Sequence, residues 1–188
     1  MKRFLVPLTL FLIFAMSLNL GCKQESQTEN KLSSQISKNA LLQDLSSLEF
    51  KDIDNKTHSL KKYKGYPVVL IFFSTECPSC LLEAKYLGEL YRKEKGSFKV
   101  IALNIDIPRS HANILRSYKK ELNIDYPIVP ISRNVERAWA ILNVYTKNDF
   151  IPQMFIFDKN GNLRYYATGF TEKVAKKLEE TIDKLKKE

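Results

Sequence analysis

The sequence predicts an α/β fold, a three-layer sandwich in which helices pack on both faces of one β-sheet. Two patterns indicate it. Apolar runs rich in β-branched residues alternate with stretches of helical periodicity from residue 68 onward. Near the C-terminus, two further strand-like runs flank Asn160-Gly161, a strong signal for a two-residue hairpin turn, and an amphipathic helix follows. A chain of 188 residues is long enough for one such domain.

The first elements of the predicted domain lead to a buried strand. Two short segments, 48–53 and 56–60, flank a turn signal and are predicted to form a hairpin. The six consecutive apolar residues of Val68–Phe73 are typical of a strand buried on both faces at the centre of a sheet. A helix is expected to begin at Cys77-Pro78, because proline is favoured in the first turn of a helix.

The second half of the domain continues the alternation of strands and helices. The predicted elements are a buried strand over 98–105, a helix over 112–122, a short strand over 126–129, a short helix over 135–142, hairpin strands over 153–158 and 163–167, and a last helix from about Thr171.

The N-terminus predicts export. Lys2 and Arg3 precede an apolar run over residues 4–16, which has about the length of a signal-peptide core and is shorter than a membrane-spanning helix. Gly21-Cys22 resembles the cleavage site of bacterial lipoproteins, in which the cysteine is lipidated. We therefore expect a lipoprotein signal peptide over 1–21, a flexible polar tether over 22–39 and a folded domain over 40–188. The alternative is ordinary secretory cleavage, which leaves Cys22 as an unmodified thiol.

The charge balance argues against nucleic-acid binding. Lys and Arg number 30 against 21 Asp and Glu, a net charge of +9. The lysines are spread along the chain, without an arginine cluster or aromatic–basic alternation, so no nucleic-acid partner is expected. Solvated helix faces explain the surplus, with attraction to anionic lipid headgroups as the alternative.

Cys77-Pro78-Ser79-Cys80 is the clearest chemical motif in the sequence. It lies where the predicted central strand passes into a helix N-terminus, whose N–H groups and dipole stabilise a thiolate. We expect Cys77 to face solvent and Cys80 to lie behind it. The pattern predicts redox chemistry at these two thiols.

Metal binding has weaker support. A structural zinc site takes four ligands, whereas the predicted domain offers two cysteines together with His58 and His111, which are not in a metal-binding spacing and are expected on the surface. Neither a metal site nor an organic cofactor is predicted.

With Ile151-Pro152 immediately before a strand, the sequence resembles the thioredoxin superfamily, in particular the membrane-tethered TlpA/ResA-like thiol–disulfide oxidoreductases. The residues that carry the resemblance are Leu60, Lys64–Val69, Phe72–Cys80, Pro152–Gly161 and Gly169. The resemblance implies a thioredoxin-like central mixed sheet, with an N-terminal β-hairpin and a strand–helix insertion within 101–129. It also implies a cis Pro152 against the cysteine pair, with the Ile151 backbone, Pro78, Ser79 and Glu76 forming the substrate-binding surface.

Two acidic residues near the cysteines carry further expectations. Glu83, three residues after Cys80, matches an acidic position of ResA-like proteins, and we expect it to accept the proton of Cys80; the alternative is an ordinary exposed glutamate. Glu76 stands where the family usually has tryptophan. Its charge is expected to raise the pKa of Cys77 against the helix dipole, giving a moderately reducing protein.

The resemblance implies an extracytoplasmic, lipid-anchored reductase that faces the periplasm or cell exterior. Cys77 attacks a substrate disulfide, Cys80 resolves the mixed disulfide, and a membrane thiol donor restores the dithiol. Implied substrates are disulfides of exported proteins, such as apocytochrome c or copper-site cysteines.

Two other classes remain as alternatives. One is a thiol peroxidase, although Leu70 stands where peroxiredoxins have proline. The other is a non-redox or copper-binding module, although copper-binding relatives of this fold separate their cysteines by three residues.

Overall fold

The computed structural model describes residues 39–94, 96–106 and 112–188. The predicted signal peptide, the lipidation site Cys22, the tether up to residue 38 and His111 lie outside the described residues. Leu42–Glu188 forms one compact unit, which opens with helical residues 42–47 (α1). The elements that follow are β1 (Phe50–Lys51), β2 (Thr57–His58), a 3₁₀ turn (Lys61–Tyr63), β3 (Val68–Phe73), α2 (Pro78–Lys93), β4 (Lys99–Asn104), α3 (Ala112–Glu121), β5 (Ile128–Val129), α4 (Arg133–Thr146), β6 (Gln153–Phe157), β7 (Leu163–Thr168) and α5 (Glu172–Lys187).

The predicted fold class is confirmed. Five strands form one mixed sheet in the order β5-β4-β3-β6-β7. β3 runs parallel to β4 and antiparallel to β6, and all six of its residues are buried. The predicted insertion is also present, since α3 and β5 follow β4 and β5 adds a short parallel strand at the edge of the sheet.

The N-terminal hairpin is present but shorter than predicted. β1 and β2 pair over two residues each, with Phe50 opposite His58. The ladder ends there because the Asp52 carboxylate accepts hydrogen bonds from the backbone N–H groups of Asp54 (2.9 Å) and Lys56 (2.8 Å) and closes the turn.

His58 corrects an expectation. It is buried rather than exposed, and its ring bridges Asp52 and Tyr63, with Nε2 at 2.8 Å from Asp52 Oδ2 and Nδ1 at 2.5 Å from Tyr63 Oη. The histidine thus ties the hairpin to the 3₁₀ turn.

The strand directions bring three segments together at one end of the central strands. β3 and β4 are parallel, so both finish at this end, where the Ile105 N–H donates to the Phe73 carbonyl at 3.1 Å. β6 is antiparallel to β3 and begins there, with Gln153 opposite Phe72. The cysteine motif, the residues after β4 and Pro152 therefore lie together.

The turn between β6 and β7 is organised by Asp158, which gives a test of the fold. Its buried carboxylate accepts hydrogen bonds from the backbone N–H groups of Asn160 and Asn162, each at 2.9 Å, and from Arg164 at 3.1 Å. Burial disfavours the charge, but these donors outweigh it and lower the pKa of Asp158. We expect Asp158→Ala to lower the free energy of unfolding by about 2 kcal/mol at neutral pH.

This contribution has a defined pH window. Because the folded-state pKa of Asp158 lies below its unfolded value, the stabilisation is complete above about pH 4 and is lost as the pH falls through the lowered folded pKa. Denaturant unfolding of the wild type and of Asp158→Ala, at neutral pH and at about pH 2, measures the stabilisation by the carboxylate. An equal difference at both pH values would contradict the role of the carboxylate.

Candidate active site

Cys77 lies at the N-terminus of α2, as its sequence position predicts. Its sulfur acts as the N-cap and accepts a hydrogen bond from the Cys80 N–H at 3.2 Å. Ser79 Oγ lies 3.3 Å from the same sulfur. On the opposite side, the Cys77 thiol donates to the Ile151 carbonyl at 3.8 Å. Cys77 is half-buried, so these contacts hold its sulfur while the residue remains accessible to a reactant.

The pKa of Cys77 is lowered, contrary to the expected rise from Glu76. Burial works against the thiolate, but hydrogen bonds from the side chains and backbone N–H groups of Cys80 and Ser79 outweigh it. Glu76 itself is exposed to solvent, which screens its charge. The contacts inside the motif therefore decide the acidity of Cys77.

Cys80 differs from Cys77 in its surroundings. It is buried, at 1% exposure, on the inner face of α2, and both cysteines are thiols in this structure. Burial, followed by the hydrogen bond with Cys77 and the negative charges of Cys77 and Glu83, raises the pKa of Cys80. The pair therefore consists of an accessible thiol of lowered pKa and a hidden thiol that holds its proton.

Glu83 is fully buried one helical turn after Cys80, which rules out the alternative of an ordinary exposed glutamate. Neither of its carboxyl oxygens has a hydrogen-bond partner among the described residues. Burial, assisted by the negative charge of Cys77, raises the pKa of Glu83 to about 8. A carboxyl group with such a pKa can exchange a proton near neutral pH.

Pro152 and Ile151 lie beside the cysteine motif. The Ile151–Pro152 peptide bond is cis, as the resemblance implies. The Pro152 carbonyl accepts from the Gly169 N–H at 2.8 Å, and the Ile151 carbonyl faces the Cys77 sulfur. Of the other expected substrate-binding residues, Pro78 is exposed and Ser79 half-buried in the first turn of α2.

Asp106 is a residue of the site that the sequence interpretation missed. Its Oδ2 atom accepts hydrogen bonds from the Thr75 N–H at 2.9 Å, the Thr75 hydroxyl at 2.7 Å and the Asn104 amide at 2.9 Å. It therefore fixes the loop that leads into Cys77. Its position directly after a buried parallel strand could have indicated it, because that end of β4 meets the end of β3.

A second missed feature is the support beneath Ile151. The buried Gln153 amide donates to the Asn143 side chain at 3.1 Å and to the Asn148 carbonyl at 2.9 Å. Asn148 Oδ1 in turn accepts from the Phe150 N–H at 3.1 Å. This network presents Phe150, whose surface is 75% exposed, immediately before Ile151.

Neither a metal site nor a membrane-spanning helix is found among the described residues. In the part of the chain that the structure covers, no three His, Cys, Asp or Glu side chains are grouped as metal ligands would be. None of the helices described has the length and apolar content of a membrane-spanning segment.

Comparisons with known proteins agree with the site. The sequence profile of the AhpC/TSA family matches residues 42–166. A thiol-disulfide oxidoreductase ResA from Geobacillus thermodenitrificans is 29% identical over 119 residues, and the match spans 63% of each chain. The chain thus covers less than two thirds of this relative.

Two further likenesses come from different kinds of protein. A chloroplastic peroxiredoxin Q from Populus jackii is 28% identical over 131 residues, covering 68% of this chain and 58% of the relative. The crystal structure of the pneumococcal exposed lipoprotein thioredoxin Etrx1 from Streptococcus pneumoniae strain TIGR4 superimposes with a TM-score of 0.55 at 25% identity. The superposition covers 73% of this chain and 98% of the Etrx1 chain. With the sheet order, the cysteine pair and the cis-proline, these findings show that the chain belongs to the AhpC/TSA family, as a TlpA/ResA-like member of the thioredoxin superfamily.

Proposed function

We propose that the protein is a thiol–disulfide oxidoreductase that reduces disulfides of exported proteins. The observation that carries the proposal is the arrangement of the two thiols: Cys77 is accessible at a helix N-terminus, and Cys80 is buried one turn behind it. The likeness to ResA thiol-disulfide oxidoreductases supports the same reaction.

The first step is attack by the Cys77 thiolate on a substrate disulfide. A new S–S bond forms between Cys77 and one substrate sulfur, the substrate S–S bond breaks, and the other substrate sulfur leaves as a thiolate that takes a proton from solvent. The donors of Ser79 and Cys80 stabilise the attacking thiolate. The backbone of Ile151 lies beside the Cys77 sulfur and is proposed to pair with the substrate chain. Pro78, Ser79 and Glu76 are proposed to contact the substrate on the other side of the sulfur.

The second step is resolution by Cys80. Forming the mixed disulfide removes the negative charge of Cys77, which is one of the causes that raise the pKa values of Glu83 and Cys80. Glu83 then loses its proton to solvent, and its carboxylate accepts the Cys80 proton. The Cys80 thiolate attacks Cys77 Sγ and breaks the mixed disulfide. The second substrate sulfur leaves as a thiolate that takes a proton from solvent, so the substrate is released as a dithiol. The substrate gains two electrons, and the protein keeps a Cys77–Cys80 disulfide.

The reducing direction is part of the proposal and comes from the family resemblance. A strongly stabilised thiolate makes a dithiol a poor reductant, so the lowered pKa of Cys77 does not by itself favour this direction. A membrane thiol donor is proposed to regenerate the dithiol. Apocytochrome c and copper-site cysteines are the proposed substrates.

The proposed location is extracytoplasmic, with lipidated Cys22 holding the domain on a bacterial membrane through the polar segment after it. The signal-like N-terminus and the likeness to a pneumococcal lipoprotein support this proposal. Multiple acyl chains on one cysteine suffice for stable anchoring.

Reduction of a disulfide-containing peptide by the full chain tests the proposed activity. The dithiol form should reduce the peptide stoichiometrically, and turnover should appear when a thiol donor is added. Cys77→Ala should abolish both reactions. A peptide disulfide that remains intact with the wild-type dithiol would overturn the proposal.

Phe150 is proposed to contact apolar side chains of the substrate beside its disulfide. Because burial of a phenylalanine ring contributes about 1.5 kcal/mol or more, Phe150→Ala should lower kcat/KM about tenfold for peptides with an apolar residue next to the cysteine. Reduction of glutathione disulfide should be unchanged. Tyr66→Ala is the matched control, since Tyr66 is an exposed ring before the opposite end of β3. Equal losses on both substrates would contradict this role.

A thiol peroxidase is the second candidate, which the likeness to peroxiredoxin Q favours. In that reaction the Cys77 thiolate would attack a peroxide, release an alcohol or water and form a sulfenic acid. The Cys80 thiol would then condense with the sulfenic acid, which releases water and forms the Cys77–Cys80 disulfide. Rapid peroxide consumption by the dithiol form, with slow peptide reduction, would favour this candidate over the reductase.

A further inference from the structure

Two buried polar groups near the cysteine pair lack partners in the part of the chain that the structure covers. One is the Glu83 carboxyl group, and the other is the hydroxyl of Tyr118 on α3. Buried polar atoms are nearly always hydrogen-bonded in folded proteins, and an unmade bond is unfavourable. Two such groups in one buried cluster therefore call for a functional explanation.

The two groups belong to the same part of the core. Tyr118 stacks on Phe73, with ring centroids 5.4 Å apart, and both rings join Cys80 and Ala84 in one buried cluster. Among the described residues, most of the surroundings are apolar. The nearby Tyr126 hydroxyl is already engaged, because it donates to the Ala84 carbonyl at 3.4 Å.

We propose that the Tyr118 hydroxyl donates a hydrogen bond to the ionised carboxylate of Glu83 during resolution of the mixed disulfide. This deepens the proposed function and rests on it. While Glu83 is protonated, the two groups need not meet; once it ionises, its carboxylate is a charged acceptor whose oxygens have no other partner among the described residues. Tyr118 is then a positioning residue that acts on Cys80 through Glu83, and it neither gains nor loses a proton overall.

The charges around Tyr118 agree with this assignment. Burial, followed by the negative charges of Cys80, Glu83, Cys77 and Asp106, raises the pKa of Tyr118, so its hydroxyl keeps its proton and remains a donor. The charges of Glu83 and Tyr118 also act on Tyr126, whose pKa is raised as well, chiefly by burial.

The pH dependence of resolution in Tyr118→Phe tests the proposal. With dithiobis(nitrobenzoate) as substrate, the first nitrothiolate reports attack by Cys77 and the second reports resolution by Cys80. A hydrogen bond to a carboxylate favours its charged form, so losing it should shift the midpoint of the second phase upward by about one pH unit. Below that midpoint the second phase should be about tenfold slower, with the first phase unchanged.

Controls separate this role from a structural one. Tyr91→Phe removes a hydroxyl from a half-buried ring of the same helix as the cysteines, where it packs on Phe98 and Tyr126, and should leave both phases unchanged. In a Glu83→Gln background, Tyr118→Phe should add nothing further. Coincident pH midpoints for wild type and Tyr118→Phe would overturn the inference.

A measurement on the wild-type protein covers the case in which Tyr118→Phe does not fold. Ionisation of Glu83 should produce a near-ultraviolet tyrosine difference signal that disappears in Glu83→Gln and persists in Tyr126→Phe. Absence of that signal would also overturn the inference. If the wild type reduces no disulfide while the signal is present, the proposed function fails and the contact between Tyr118 and Glu83 stands.

Discussion

Cys80→Ser should stop turnover and accumulate a covalent complex between the protein and its substrate. The Cys77 thiolate still attacks, because Ser79 and the backbone N–H of residue 80 still stabilise it. The serine hydroxyl is a far weaker nucleophile than a thiolate, so the mixed disulfide is not resolved. With dithiobis(nitrobenzoate), one nitrothiolate should be released from the Cys77–Cys80 site instead of two.

Mass spectrometry of the full chain after reaction with a disulfide peptide measures the complex directly. The expected product carries one peptide half on Cys77, and reduction by dithiothreitol releases it. Cys77→Ser serves as the matched variant, because the thiol that remains in its redox site, Cys80, is buried and should form no complex. A complex that forms with Cys77→Ser but not with Cys80→Ser would reverse the roles assigned to the two cysteines.

Glu83→Gln should slow the resolving step by about 100-fold at neutral pH, the lower end of what a positioned general base contributes. The amide keeps the shape of the carboxyl group but cannot accept the Cys80 proton. The wild-type rate should rise with pH as Glu83 ionises, whereas the variant should lack this transition. Glu89→Gln, an exposed position on the same helix, is the matched control. An unchanged second phase in Glu83→Gln would remove Glu83 from the mechanism.

The same substitution should raise stability at neutral pH. The folded-state pKa of Glu83 is raised to about 8, above its unfolded value, so the wild type loses stability as the pH rises from the unfolded towards the folded pKa. At pH 7, Glu83→Gln should therefore increase the free energy of unfolding by up to about 3 kcal/mol, with little change at about pH 4. Denaturant unfolding at the two pH values distinguishes this from a pH-independent packing effect.

The sequence predicted what depends on local pattern. The apolar run of Val68–Phe73 identified the central strand, and Cys77-Pro78 identified the start of α2. Both predictions were possible because strand burial and helix capping depend on residue types within a short segment. The cis bond before Pro152 followed from the family resemblance. The hairpin prediction was correct in position and too long, since side-chain bonds of Asp52 close the turn early.

Specific side-chain contacts escaped prediction. His58 is buried because Asp52 and Tyr63 satisfy both ring nitrogens, a pairing that no periodicity reveals. Asp106 reaches the loop before Cys77 only because β3 and β4 are parallel neighbours. The pKa of Cys77 is lowered rather than raised, because hydrogen bonds from Cys80 and Ser79 within the folded turn outweigh the effect of burial.

The reduction potential of the Cys77–Cys80 pair tests the central claim most directly. The full chain is equilibrated with glutathione and dithiothreitol buffers, and alkylation of the thiols followed by mass spectrometry counts the reduced fraction at each cysteine. A reductase should show one reversible two-electron couple with a potential near or below about −230 mV. A value near about −120 mV would contradict a reductase and indicate a protein that introduces disulfides, and the absence of a reversible couple would contradict redox function altogether.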